Sequence, residues 1–169
     1  MLSRTFVWHN TLFGIRMMRI HPPSDPDFPI SEAAVAKVHG YENVVGYFGH
    51  WPSFHDMEVI RVSIDRVSDR RPSTSHDLRA EFYVFDLTRS PDDPDRKQAL
   101  LEILFTEISD LSIKGWSYQN PITGLSLSWD SKLRVAWGGC GHDVSFTCAE
   151  ATVVRLRELN PFRKSQPDE

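Results

Sequence analysis

Three groups of side chains in this 169-residue chain have the chemistry to react or to ligate. The first lies in YFGHWPSFHDMEV, residues 47–59, where His50, His55 and Asp56 sit among Trp51 and Phe54. An adjacent His-Asp pair is what metal-dependent phosphohydrolases use, but they present it on helices, with further ligands on other helices. Here the pair runs straight into an alternating pattern, and on a strand adjacent side chains point to opposite faces, so one ion cannot easily take both. The alternative is a packed corner in which His55 hydrogen-bonds and Asp56 caps or turns the backbone. The second group is Cys140, His142 and Cys148, which with His50 or His55 would offer zinc its preferred thiolate and imidazole donors. Their spacing forms no compact ligand knuckle, and Cys148 reads as a small core residue. The third is GGCGH, residues 138–142, where Cys140 as a nucleophile would have His142 as its base. No acid is set to orient that histidine, no helix N-terminus lies nearby to lower the thiol pKa, and a hairpin turn already explains the glycines.

No phosphate-cradling glycine loop, GxSxG elbow or helically spaced carboxylate pair occurs. The unusual feature is aromatic: Trp51, Phe54, Trp116, Tyr118, Trp129 and Trp137 exceed what turns need. They read first as core and rim packing, and otherwise as the amphipathic rings that suit a protein interface.

The elements that must position these residues follow from period and punctuation. Four prolines in HPPSDPDFP, residues 21–29, make an extended, unpaired linker behind an N-terminal extension. The extension carries Arg16 within its apolar run and no small-residue cleavage site, so it is not read as a targeting peptide, and Met17 or Met18 are alternative starts. Ser31 as N-cap, an alanine-rich run and Gly40 predict a short helix, and YENVVGYF up to Gly49 predicts a second. After Asp56 the period becomes two. EVIRVSIDR puts Ile60, Val62 and Ile64 on one face and Arg61, Ser63 and Asp65 on the other, and LRAEFYVFDL repeats this with Leu78, Ala80, Phe82 and Val84. A polar turn over 68–77 joins them. ALLEILFTEISDLSI fits helix or strand by pattern, and its Ile103, Phe105, Ile108 and Ile113 favour strand. Three more strands follow, with Leu125, Leu127 and Trp129, then Leu133, Val135 and Trp137, then Val144, Phe146 and Cys148 inward, joined by turns over 130–132 and 138–143. The expected fold is α+β: one or two short N-terminal helices, then a mainly antiparallel meander of about six strands. The domain boundaries read as an extension and linker over 1–29, one domain over 30–159 and a polar tail over 160–169.

Composition is that of a soluble globular protein, 40% hydrophobic and 25% charged, with no apolar run able to span a bilayer. Two cysteines are too few for a disulfide framework, so the expected setting is reducing and cytoplasmic. The net charge of −4 argues against nucleic-acid binding, which calls for a basic face, and suits docking onto something basic.

The stretch FGHWPSFHDMEVIRVSIDR, residues 48–66, resembles the immunity protein 50 family of bacterial polymorphic toxin systems. That family runs from a short helix through a G-x-W-P-S-F-H-D stretch into an alternating strand. The resemblance continues through ISDLSIKGWSYQN (108–120) and GGCGHDVSFTCAEATVV (138–154), covering roughly residues 30–158. It implies a small, mostly antiparallel α+β domain that binds and neutralises a cognate protein toxin inside the producing cell, with no catalysis, no cofactor and no metal. Trp51, Pro52, Ser53, Phe54, His55 and Asp56 then form a structural corner. Candidate interface residues are Asp92, Asp93 and Asp95 in a flexible, exposed loop, with Trp116, Tyr118 and Asn120 as anchors. Two rival readings are a metal-dependent hydrolase using His50, His55, Asp56 and His142, and a β-sheet domain that binds a small ligand or serves as an assembly subunit.

Overall fold

The structure, a computed structural model, describes residues 20–21, 28–66, 76–117, 119–139 and 141–159. The chain runs β1 (Ile20–His21), α1 (Glu32–Val35), β2 (Val38–His39), α2 (Tyr41–Phe48), β3 (Trp51–Pro52), β4 (Met57–Asp65), β5 (Asp77–Phe85) and β6 (Gln98–Thr106). It continues as β7 (Ser109–Lys114), β8 (Pro121–Ile122), β9 (Gly124–Trp129), β10 (Leu133–Gly139), β11 (His142–Cys148) and β12 (Glu150–Leu159).

The class is α+β and mainly antiparallel, but the strands do not form one meander. A six-stranded sheet, in the order β2-β12-β6-β5-β4-β8, and a four-stranded sheet, β7-β11-β10-β9, pack around a shared core, and β1 pairs with β3 beside them. The pairings β1–β3 and β2–β12 are parallel. The split happens at one corner. β6 passes into β7 at Glu107 and Ile108, and β11 into β12 at Ala149, whose N–H donates to the Thr106 carbonyl at 3.0 Å. Glu107 and Asp110 take positive φ of 53° and 57°, which bends the chain out of one sheet into the other. The phase of alternation shifts by one at the corner, from Phe105 to Ile108 and from Cys148 to Ala151, but a bulge or a tight turn shifts phase in the same way, so the pattern does not reveal that the chain changes sheet.

Rings join the two sheets. Phe54 meets Phe82 of β5 edge-on at 5.3 Å, Phe82 meets Trp137 of β10 at 5.4 Å, and Trp137 meets Phe146 of β11 at 5.7 Å. Phe105 of β6 closes the series against Phe146 at 5.0 Å. Edge-to-face pairs of this kind each add about 0.5–1.5 kcal/mol beyond area burial. The inward sets expected on β5 and on β9–β11 are buried as read, Cys148 included. Trp129 is the exception at 40% exposed, at the end of β9 under the Lys37 ammonium, 5.1 Å from the ring centre.

β4 departs from its expected face. Val59 pairs with Phe82 and Arg61 with Glu81, so Ile60 is the extra residue of a bulge. Val59 is 1% exposed and Ile60 48%. Alternation from buried Met57 and Val59 puts Ile60 outside and would put Arg61 inside; the extra residue shifts the phase so that Val62, not Arg61, faces the core, and Ile64 near the strand end is 44% exposed.

The helices are shorter than their composition suggests. α1 is a single turn, Ser31 occupies its N-cap position without a side-chain cap bond, and β2 precedes Gly40. α2 ends as expected at Gly49, left-handed at φ 87°. The proline-rich stretch is not wholly unpaired. Proline lacks an N–H but keeps its carbonyl, and Pro29 accepts from Leu127 N–H at 3.2 Å and Ser126 Oγ at 3.0 Å. Most of the extension, most of the 68–77 turn and the tail lie outside the described residues.

Candidate functional site

The histidine-aspartate corner is built by packing. Trp51 and Phe54 are fully buried, their rings 6.0 Å apart, and Ser53 accepts from the His55 N–H at 3.3 Å. Phe54 and Asp56 take left-handed φ of 62° and 57°. Two such residues around His55 turn the chain into β4, a conformation that costs a bulky L-residue about 1–2 kcal/mol and that the buried Phe54 ring offsets. His55 Nδ1 lies 3.0 Å from Asp56 Oδ2, with both side chains largely exposed. His50 is buried and its ring stands 6.4 Å from Phe48.

His142 is elsewhere, 2% exposed at the start of β11, its ring 6.4 Å from Trp116. Burial pushes the Cys148 thiol up to about 12. Cys140 lies outside the described residues. Among the described residues, no three of the His, Cys, Asp and Glu side chains converge in a way that could hold a metal ion.

The two proposed interface loops differ in what they connect: one joins two strands of the six-stranded sheet, the other runs from β7 of the four-stranded sheet to β8 of the six-stranded one. Residues 86–97 join β5 to β6 and are internally braced. Buried Asp86 accepts from the Thr88 N–H and Oγ1 at 2.9 and 2.6 Å, and the Arg96 guanidinium stacks 4.2 Å over Phe85. Asp93 accepts from Arg89 at 2.9 Å and from the Asp95 N–H at 2.8 Å, and these bonds hold its carboxyl below the usual range. Asp92 and Asp95 are exposed. The second loop, residues 115–120, reaches β4 at Asn120, whose carbonyl accepts from Val59 N–H at 3.0 Å. Asn120 is buried, and its amide both donates to and accepts from the Ser117 backbone at 2.9 and 3.0 Å. It holds the loop that lifts Trp116 to 42% exposure. Gly115 is required there, since a Cβ at its φ of 65° would overlap the Gly141 carbonyl. Tyr118 lies outside the described residues.

A further surface was not foreseen from sequence: the face of the six-stranded sheet turned away from the core. Arg61, Arg79, Arg155 and Arg157 are exposed on it around half-buried Tyr83, Leu100 and Leu104. At its centre Glu102, 6% exposed, receives Arg155 and Arg79. Arg155 reaches this face because the register slips between Val153 and Arg155. Continuous alternation from Ala151 would have aimed it at the core, so only the bulge reveals the cluster. On the four-stranded sheet, the outward face holds a shallow recess of about 230 Å³ floored by Ser126, Ala136, Ser145 and Thr147, with Asp110 and Arg134 at its rim.

The arrangement offers open sheet faces, exposed arginine and tryptophan and braced loops. The sequence from Gly40, the residue before α2, to Glu158 in β12 matches the profile of a known family, Immunity protein 50, over residues 40–158. The chain belongs to the Immunity protein 50 family. No curated protein and no solved structure matches it. The part matched to Immunity protein 50 contains the buried corner, both loops, the four-stranded sheet and the arginine-bearing face. Among the described residues no helix is long and apolar enough to cross a membrane.

Proposed function

We propose that this chain binds a cognate bacterial toxin and neutralises it by occupying its surface, with no reaction of its own, in the cytoplasm of the cell that makes both. Membership of the Immunity protein 50 family carries the reading. The described surface supports it: Trp116 is a half-exposed ring on a braced loop, and arginine and tyrosine share an open sheet face, the residue types that dominate binding energy at interfaces. Asp92 and Asp95 serve as rim charges that speed encounter with a basic toxin, and Asn120 acts by fixing the Trp116 loop. Co-expression with toxin domains encoded by neighbouring genes, followed by growth measurement and co-purification, tests the proposal. Rescue of growth with a stoichiometric complex is the expected result. Full toxicity with no complex, against every neighbouring toxin domain tried, overturns it.

A further inference from the structure

β7 ends the four-stranded sheet, with β11 on one side and, among the described residues, no strand on the other. Such an edge leaves backbone N–H and C=O groups able to pair with another chain, and folds usually blunt it with proline, charge, a bulge or a cover. The other long edges are covered in part: β4 is bulged at Ile60 and paired with β8 over its first residues, β12 is bulged at Val154 and paired with β2 at Ala151 and Thr152, and β9 is flanked by Ile30 and Ser31. β7 has no proline, and it presents Leu111 at 37% and Ile113 at 40% exposure. Its bulge falls at the start, where Asp110 is left-handed, and leaves 111–114 regular.

The strand is complementary to its own reverse. Leu111-Ser112-Ile113, laid antiparallel on a second copy about Ser112, sets Leu111 against Ile113 twice and Ser112 against itself, and brings left-handed Asp110, just before the regular strand, near Lys114 of the second copy at both ends. The faces agree as well. Ser112 and Lys114 pair with exposed Ser145 and Asp143 of β11, and the Asp110 carboxylate lies on that same side, 3.4 Å from Thr147 Oγ1. Both apolar pairs therefore share the inner face, with Ser112 and the oppositely charged ends on the outer one. Directly opposed side chains are the unit of sheet stabilisation, and a two-fold axis requires this kind of self-complementarity.

We propose that two copies of this chain associate through β7, antiparallel about Ser112, so that their four-stranded sheets become one continuous sheet. This is independent of toxin binding, and its failure would leave that reading intact. The test is sedimentation velocity and light scattering of the full chain over a concentration series. A concentration-dependent dimer is expected. Leu111→Lys and Ile113→Glu, both at exposed positions, should each weaken it by about tenfold or more. Combining them should restore association, the introduced lysine facing the introduced glutamate of the second copy, with circular dichroism reporting the fold. Hydrogen exchange of the wild-type chain should show β7 amides better protected as concentration rises. A chain monomeric throughout, a dimer indifferent to both substitutions, or a combined variant no better than the single ones overturns the proposal. So does β7 protection that arises only when toxin is added to a monomeric chain, which would assign the edge to the toxin.

Discussion

Arg155 grips Glu102 across the β6–β12 pair: its Nη2 and Nε donate to Oε2 at 2.6 and 3.1 Å, while Arg79 of β5 reaches Oε1 at 3.3 Å. One carboxylate thus ties three neighbouring strands on the face turned away from the core. The bonds from Arg155 outweigh burial and hold the Glu102 carboxyl below its ordinary value. A lowered folded-state pKa means the fold favours the ionised form. The contribution is present above the unfolded value and is lost as pH falls through the folded one.

Stability should therefore decline on acidification below about pH 4.5, where unfolded glutamate begins to protonate. Asp93 and Asp130, shifted the same way by hydrogen bonds, add to the decline. Glu102→Gln should cost about 1–2 kcal/mol at neutral pH and flatten the acid limb. Urea unfolding of both chains at several pH values measures it, and parallel limbs would remove Glu102 from the account.

At the WPSFHD corner the weight rests on Phe54. Removing a fully buried ring costs about 3–5 kcal/mol, so Phe54→Ala should lower stability by that order. His55→Ala should cost less than about 1 kcal/mol, because its contact with Asp56 is solvated. Thermal melts of the two variants decide between them, and a larger loss at His55 would shift the role to the histidine.

What could be read in the sequence and what could not divide along physical lines. Alternation over β5 and β9–β11 placed Phe82, Trp137, Phe146 and Cys148 correctly, since each strand is regular and one face is buried. The family stretch led to the corner of Trp51 and Phe54, although the left-handed φ of Phe54 has no compositional signal. Ile60 and Arg155 were misassigned or missed because a bulge reverses parity without changing residue types. The second sheet stayed hidden for a similar reason: the bend at Glu107 shifts the phase of alternation by one, from Phe105 to Ile108, as a bulge within a single sheet would.

Burial holds the Cys148 thiol protonated, with its pKa pushed up to about 12, and thiolate is the reactive form. In a Cys140→Ser background, Cys148 should resist iodoacetamide at pH 8 in the folded chain and react fully once the chain is unfolded in urea. Mass spectrometry of the labelled protein measures this. Rapid labelling of the folded chain would require β11 to open.

The toxin interface can be divided between encounter and grip. Asp92 and Asp95 are exposed, whereas Asp93 spends its carboxylate on Arg89 and on the Asp95 N–H, so Asp93 shapes the loop and the other two supply its free field. Neutralising Asp92 and Asp95 to asparagine should slow association with a basic toxin at low ionic strength and flatten its salt dependence, while dissociation changes little, because rim charges act on encounter. Trp116→Ala should do the opposite, raising the dissociation rate by about tenfold or more, since a half-exposed ring on a braced loop acts only once docked. Association and dissociation rates from surface plasmon resonance at two salt concentrations separate the effects. Rates unchanged in the aspartate variant would remove residues 86–97 from the interface, and an unchanged dissociation rate in Trp116→Ala would remove residues 115–120.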